Sequence, residues 1–178
     1  MDIKQNYFEF LGLPEVYSLD QQTLAEHSRE LQKTLHPDKF SHLSDRERRL
    51  SVQYTAYLNE ATATLKSPLQ RGQYLLYLKG IDTFSESSVQ LDPIFLMQQM
   101  ELREALESVR DEADPDAALE HLQGVVDAEL AELRSDFKTQ YEVGDKTSLE
   151  AAAMTVRKMQ FIEKLGREID ALEDQLYD

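Results

Sequence analysis

The sequence predicts an all-α protein in two parts, a helical hairpin followed by a three-helix bundle. Three observations predict it. Glycine and proline are scarce, six and five in 178 residues, which favours long helices over a loop-rich sheet. Apolar residues recur at spacings of three and four over long stretches. Helix-start signatures stand ahead of those stretches, at Ser44-Asp45-Arg46-Glu47, Asp92-Pro93, Asp114-Pro115 and Thr147-Ser148-Leu149-Glu150.

The composition narrows the classes of function. Hydrophobic residues make up 41% and charged residues 30%, the balance of a soluble globular chain. Without cysteine there can be no disulfide, thiolate metal site or cysteine nucleophile. No apolar run approaches the roughly 18 residues of a membrane span, and no signal-peptide pattern opens the chain. A cytoplasmic or organelle-matrix protein is expected. Residues 1–80 hold ten acids and ten bases, whereas residues 81–178 hold 24 acids and nine bases, so the whole net charge of −15 lies in the second part. That argues for two units with different surfaces. It also argues against nucleic acid or an anionic membrane as partner of the second. The acidity is read either as a solvated surface or as a specific electrostatic feature.

Tyr7 to Leu11 gives a short helix, which Gly12 and Pro14 end. Ser18-Leu19-Asp20-Gln21 starts the next helix, with Leu24, Ser28, Leu31 and Leu35 on one stripe. Glu26, Arg29, Glu30 and Lys33 lie on the opposite face. Arg29 and Lys33 are four apart and therefore neighbours, so with His36 and Lys39 they can form a basic strip. An ordinary solvated face is the other reading. Pro37 cannot donate a backbone hydrogen bond and biases His36 away from helix, so this helix must stop here. Asp38 can hold the turn. From Ser44 the next helix carries Leu50, Tyr54, Tyr57, Leu58, Ala61 and Leu65, a stripe that packs on its predecessor as an antiparallel hairpin. Ser67-Pro68 opens a further helix, which Lys79-Gly80 ends.

Taken alone, His36-Pro37-Asp38 is better explained by a helix end and a turn. Its neighbours add to it. Tyr7-Phe8-Glu9-Phe10-Leu11-Gly12-Leu13-Pro14 precedes it, and Leu58-Asn59-Glu60-Ala61, Leu65-Lys66-Ser67-Pro68 and Arg71-Gly72-Gln73-Tyr74 follow. In this order and spacing the blocks resemble a J-domain over about the first 75 residues. The resemblance implies a co-chaperone that stimulates the ATPase of a DnaK-class chaperone. It implies that His36, Pro37 and Asp38, with Arg29, Lys33 and Lys39, face that chaperone. No Gly/Phe-rich segment or zinc-binding cysteine repeat follows, so a broad-client co-chaperone is not expected.

Residues 81–92 read as an ordered linker between a domain at 1–80 and a bundle at 93–178. Asp92-Pro93 starts the first bundle helix, which runs to about Arg110. The second starts at Asp114-Pro115 and carries Leu119, Leu122, Val126, Leu130, Leu133, Phe137 and Tyr141 until Gly144. Thr147-Ser148-Leu149-Glu150 starts the third, with Ile162, Leu165, Ile169, Leu172 and Leu176. Short connections imply antiparallel neighbours. The first bundle helix is apolar over too wide an arc for one core stripe. Phe95, Leu102 and Leu106 share one face, whereas Met97, Met100, Glu101 and Glu104 define another. Either both faces are buried, with methionine as filler, or the second is an exposed docking face.

Tyr74-Leu75-Leu76, Phe95-Leu96-Met97, Met100-Glu101-Leu102-Arg103-Glu104 and Val156-Arg157-Lys158-Met159 with Phe161 resemble the HscB family, the dedicated co-chaperone of bacterial iron–sulfur cluster assembly. With the J-domain, this likeness covers nearly the whole chain. It implies an IscU-type scaffold protein bound through Leu96, Met97, Met100, Glu101, Glu104 and Phe161, and an HscA-type chaperone as second partner. Periodicity alone would assign Phe161 to the core. Met100 stands where the family pattern leads us to expect leucine.

No catalytic constellation is apparent: there is no Gly-rich phosphate loop and no H-E-x-x-H. His27, His36, His42 and His121 do not pair at metal-ligand spacing, so no metal site or cofactor of its own is expected, and any cluster belongs to the client. A monomeric, non-enzymatic adaptor is the reading. Two alternatives remain: a J-protein serving a different client, or a purely structural helical interaction protein with an incidental turn.

Overall fold

The computed structural model describes residues 4–35, 39, 44–84 and 91–177, and they contain seven α-helices and no strand. The chain divides into two compact units, Met1–Lys79 and Gly80–Asp178. None of the helices among the described residues is long and apolar enough to cross a membrane. His42 and residues 85–90 of the connection at 81–92 lie outside the described residues.

In the first unit, α1 (Tyr7–Leu11) opens with a reciprocal cap between Asn6 and Glu9 and closes on Gly12, whose φ of 65° is left-handed. α2 (Gln21–Leu35) is capped by Asp20, which accepts from the Thr23 amide at 2.9 Å. α3 (Asp45–Lys66) starts at the expected Ser44–Glu47 box, and α4 (Pro68–Leu78) at Ser67-Pro68. The hairpin of α2 and α3 buries Leu24, Leu35, Leu58, Ala61 and Leu65. Each large member stabilises it by roughly 1.5–3 kcal/mol. Leu50, expected to face inward, is 40% exposed, and the buried residue beside it is Ser51. The reason is a hydrogen bond: Ser51 Oγ donates to the Leu35 carbonyl at 2.9 Å, and Thr55 Oγ1 reaches the same oxygen at 3.4 Å. A helix end leaves such carbonyls without intrahelical partners, and two hydroxyls of α3 meet this one.

Arg71 of α4 is also buried. Its Nε donates to the Tyr17 carbonyl at 2.7 Å and its guanidinium lies over the Tyr17 ring. His27 ties α2 to the end of α1 through the Leu11 carbonyl at 2.7 Å.

In the second unit, α5 (Pro93–Ser108) begins at Asp92, whose carboxylate accepts from the Ile94 amide at 3.0 Å. A single 3-10 turn at Val109–Asp111 follows, so the first bundle helix is shorter than expected. α6 (Pro115–Val143) begins at Asp114 and ends at Gly144. α7 (Lys146–Tyr177) starts ahead of the expected Thr147 box. Its cap is Asp145, which accepts from the Ser148 amide at 2.7 Å. Asp145 and Thr147 both have the spacing of a cap, and the tight turn at Gly144 favours the earlier one.

α6 and α7 pack antiparallel along most of their length. Gln140 accepts from Thr155 at 2.8 Å, and Gly166 lies against Val126 further along. Leu119, Leu122, Val126, Leu130, Leu133 and Phe137 face Ala152, Val156, Met159, Ile162, Leu165 and Ile169, all of them buried. Tyr141, Leu172 and Leu176 are only half-buried.

Candidate functional site

Two surfaces carry the residues singled out in the sequence, one in each unit. On the first, the buried stripe of α2 turns Arg29 and Lys33 outward together, one helical turn apart. Among the described residues neither forms an ion pair, so both charges face solvent. Gln22 donates to Glu26 at 2.9 Å on the same surface. Lys39 is exposed. His36, Pro37 and Asp38 lie outside the described residues. α2 ends at Leu35, where the sequence places its stop.

The second surface is built on α5. Phe95, Gln99 and Leu106 point into the bundle, at 4%, 5% and 8% exposure. Leu102 is half-buried, and the rest of the wide apolar arc is left outside. Met97 and Met100 are 57% and 62% exposed and Leu96 is 38% exposed, with Glu101 and Glu104 also exposed. Of the two readings of this helix, the structure has the open one. It adds Ile94, 63% exposed and missed in the sequence. Its spacing of three from Met97 and seven from Glu101 was the available signal.

Phe161 does not lie in the core, as its periodicity suggested, but is 40% exposed. The cause is the course of α5 across α7. Phe161 meets Phe95 edge to face at 6.4 Å between centroids, Arg103 meets Glu168 at 3.8 Å, and Arg110 donates to Gln175 at 2.8 Å. Each pair is 65 or 66 residues apart, so α5 runs parallel to α7 in a constant register. Phe161 stands at the margin of that contact, partly covered and in contact with Phe95. The structure thus brings α7's Phe161 against Phe95, at the start of α5.

The electrostatics beneath the patch are mixed. Lys158 Nζ lies 5.2 Å from the Phe95 ring centre. The Gln99 amide donates to Glu129 at 3.4 Å, and burial pushes the Glu129 carboxyl above its ordinary value despite this bond and the nearby Lys158 charge. The patch itself has an apolar centre and an acidic edge.

Residues 91–170 match the family model described as the HSCB C-terminal oligomerisation domain. The co-chaperone protein HscB homolog of Shewanella loihica is 45% identical over 97% of this chain and 99% of its own length. Among solved structures, chaperone HscB from Vibrio cholerae superposes with a TM-score of 0.86 at 44% identity, covering 97% of this chain and 99% of that one. The human co-chaperone protein HscB superposes with a TM-score of 0.87 at 28% identity, covering 97% and 84%. These relatives are co-chaperones, not enzymes. With such identity over nearly the full length of both chains, and with the same fold, this chain belongs to the HscB family of J-type co-chaperones of iron–sulfur cluster assembly.

Proposed function

We propose that the chain is an adaptor between an IscU-type iron–sulfur scaffold protein and an HscA-type chaperone of the DnaK class, acting in the cytoplasm. Residues 1–80 are the J-domain, 81–92 the linker and 93–178 the scaffold-binding bundle. The observation that carries this reading is the exposed Leu96, Met97 and Met100 of α5, edged by Glu101 and Glu104, with the exposed Phe161 of α7 held against Phe95 of the same helix. A contiguous apolar face of this kind on a folded monomer marks an interaction site. The scaffold occupies it, and the free co-chaperone is a monomer.

Arg29, Lys33 and Lys39 supply a basic surface that leads to His36, Pro37 and Asp38, and these six residues engage the chaperone. They shift it toward ATP hydrolysis and client capture. The catalytic residues are the chaperone's, and the co-chaperone needs no cofactor or metal. Holding both partners on one chain raises the local concentration of client at the chaperone.

The test is steady-state ATPase of the HscA-type chaperone with scaffold and either wild type or His36→Gln. Wild type should stimulate and the variant should not. Leu96→Ala with Met97→Ala should then abolish synergy with scaffold while scaffold-independent stimulation persists. Equal activity of wild type and His36→Gln would remove the J-domain from the mechanism. Unchanged scaffold binding by the α5 variant would remove the patch.

A further inference from the structure

The α5 face is built around two thioethers, and thioethers are chemically alterable where leucine would not be. Met97 and Met100 are 57% and 62% exposed, whereas Met159 is fully buried and Met154 half-buried. Three residues apart on one helix, the two exposed sulfurs share a face at the centre of the proposed scaffold surface. From this placement we infer that Met97 and Met100 form a peroxide-sensitive modification site whose oxidation releases the scaffold. The inference rests on the functional reading above.

The chemistry is an oxygen transfer from hydrogen peroxide. The peroxide O–O bond breaks, an S–O bond forms on the thioether, sulfur is oxidised by two electrons, and water leaves. The product is a polar sulfoxide that strongly accepts hydrogen bonds. At the centre of an apolar contact it must lose its water without regaining a partner. Two such groups on one face penalise binding together. Their exposure also confines the effect to binding: neither side chain supports the bundle core, so the oxidised protein keeps its fold. Oxidation at Met159, by contrast, would disrupt the α6–α7 contact.

The experiment oxidises the full-length co-chaperone alone with hydrogen peroxide, removes the peroxide, and then adds scaffold. Peptide mass mapping should find one added oxygen at Met97 and at Met100 well before Met159. Scaffold affinity should fall at least tenfold with the thermal midpoint unchanged, and methionine sulfoxide reductase should restore it. The Met97→Leu, Met100→Leu double variant serves as a comparison with itself: whatever affinity it starts from, peroxide should leave that affinity unchanged. The inference is overturned if oxidised wild type binds as before. It is equally overturned if affinity falls only when Met159 is oxidised and the melt drops, or if peroxide weakens the double variant as much as wild type. Failure of the untreated wild type to bind scaffold is a separate result, and it removes the functional reading itself.

Discussion

The Ser51 hydroxyl of α3 donates to the carbonyl of Leu35, the last residue of α2, at 2.9 Å. Both residues are buried, at 2% and 4% exposure. A buried carbonyl deprived of its donor costs about 1–3 kcal/mol. Ser51→Ala should therefore destabilise the first unit by about 1–2 kcal/mol, since Thr55 still approaches the same oxygen. Adding Thr55→Val should cost more than the two single changes summed, because only the double variant orphans the carbonyl. A urea titration followed by NMR peak intensities of α2 and α3 reads the first unit separately.

Phe95 and Phe161 touch each other but do different work. Phe95 is 4% exposed and Phe161 40%. Phe95→Ala should cost the bundle about 3–5 kcal/mol. Phe161→Ala should cost it less than about 1.5 kcal/mol, most of it the lost ring contact. Under the proposed function, Phe161→Ala should nevertheless weaken scaffold binding, by about tenfold or more. Thermal melts beside titration calorimetry would separate these effects.

Arg71 tests whether a buried cation holds the first unit together. Its side chain is 6% exposed as a residue, over the Tyr17 ring and against two backbone carbonyls, those of Tyr17 and Leu65. Arg71→Met keeps much of the volume and removes the donors. It should cost about 2–4 kcal/mol, as removal of charged buried donors does. The same NMR-detected urea titration measures it.

Two glycines should respond in opposite directions to alanine. Gly124 lies within α6 with no atom within 4 Å of an added Cβ. Gly124→Ala should stabilise the bundle by about 0.5–1 kcal/mol. Gly144 has φ of 70° at the end of the same helix, so Gly144→Ala should destabilise by about 1 kcal/mol. Thermal melts of the two variants give both signs.

Glu129 makes a prediction in pH. Burial raises its carboxyl above the ordinary 4.5 in the folded chain. A carboxyl shifted upward contributes stability fully present below its unfolded value and lost as pH rises through the folded value. At neutral pH the folded chain carries the cost of ionising it. Glu129→Gln should thus raise the melting temperature at pH 7, and the advantage should disappear below the unfolded value. Asp145 behaves in the opposite sense. Its hydrogen bonds from Ser148 hold it below the ordinary 3.8, so its contribution is present above that value and lost as pH falls through the folded one.

The helix starts were legible because capping is local: Ser44 with Glu47, Ser67-Pro68, Asp92-Pro93 and Asp114-Pro115 all stand where the sequence places them. What periodicity could not resolve were positions decided by a distant element. Leu50 has the residue type of a core position, but Ser51 is buried instead because the end of α2 needs a hydroxyl. Phe161 sits on an apolar stripe, yet the parallel course of α5 leaves it at a margin. The same ambiguity covered Met97 and Met100, since a wide apolar arc has one appearance in sequence whether one side or two are covered. Only the packing of α5 on α7 separates the cases.

That packing also says how the α5 face would be met. The contacts Phe95–Phe161, Arg103–Glu168 and Arg110–Gln175 pin the helix near its start, at its middle and just past its end. Sliding by one turn would break all three at once. The methionine face is thus a template already ordered before any encounter. A partner landing on it need not wait for a helix to form, and little of the contact energy goes into ordering this side. Association should therefore be fast and nearly rigid on the bundle's part, with affinity differences among variants appearing as residence time.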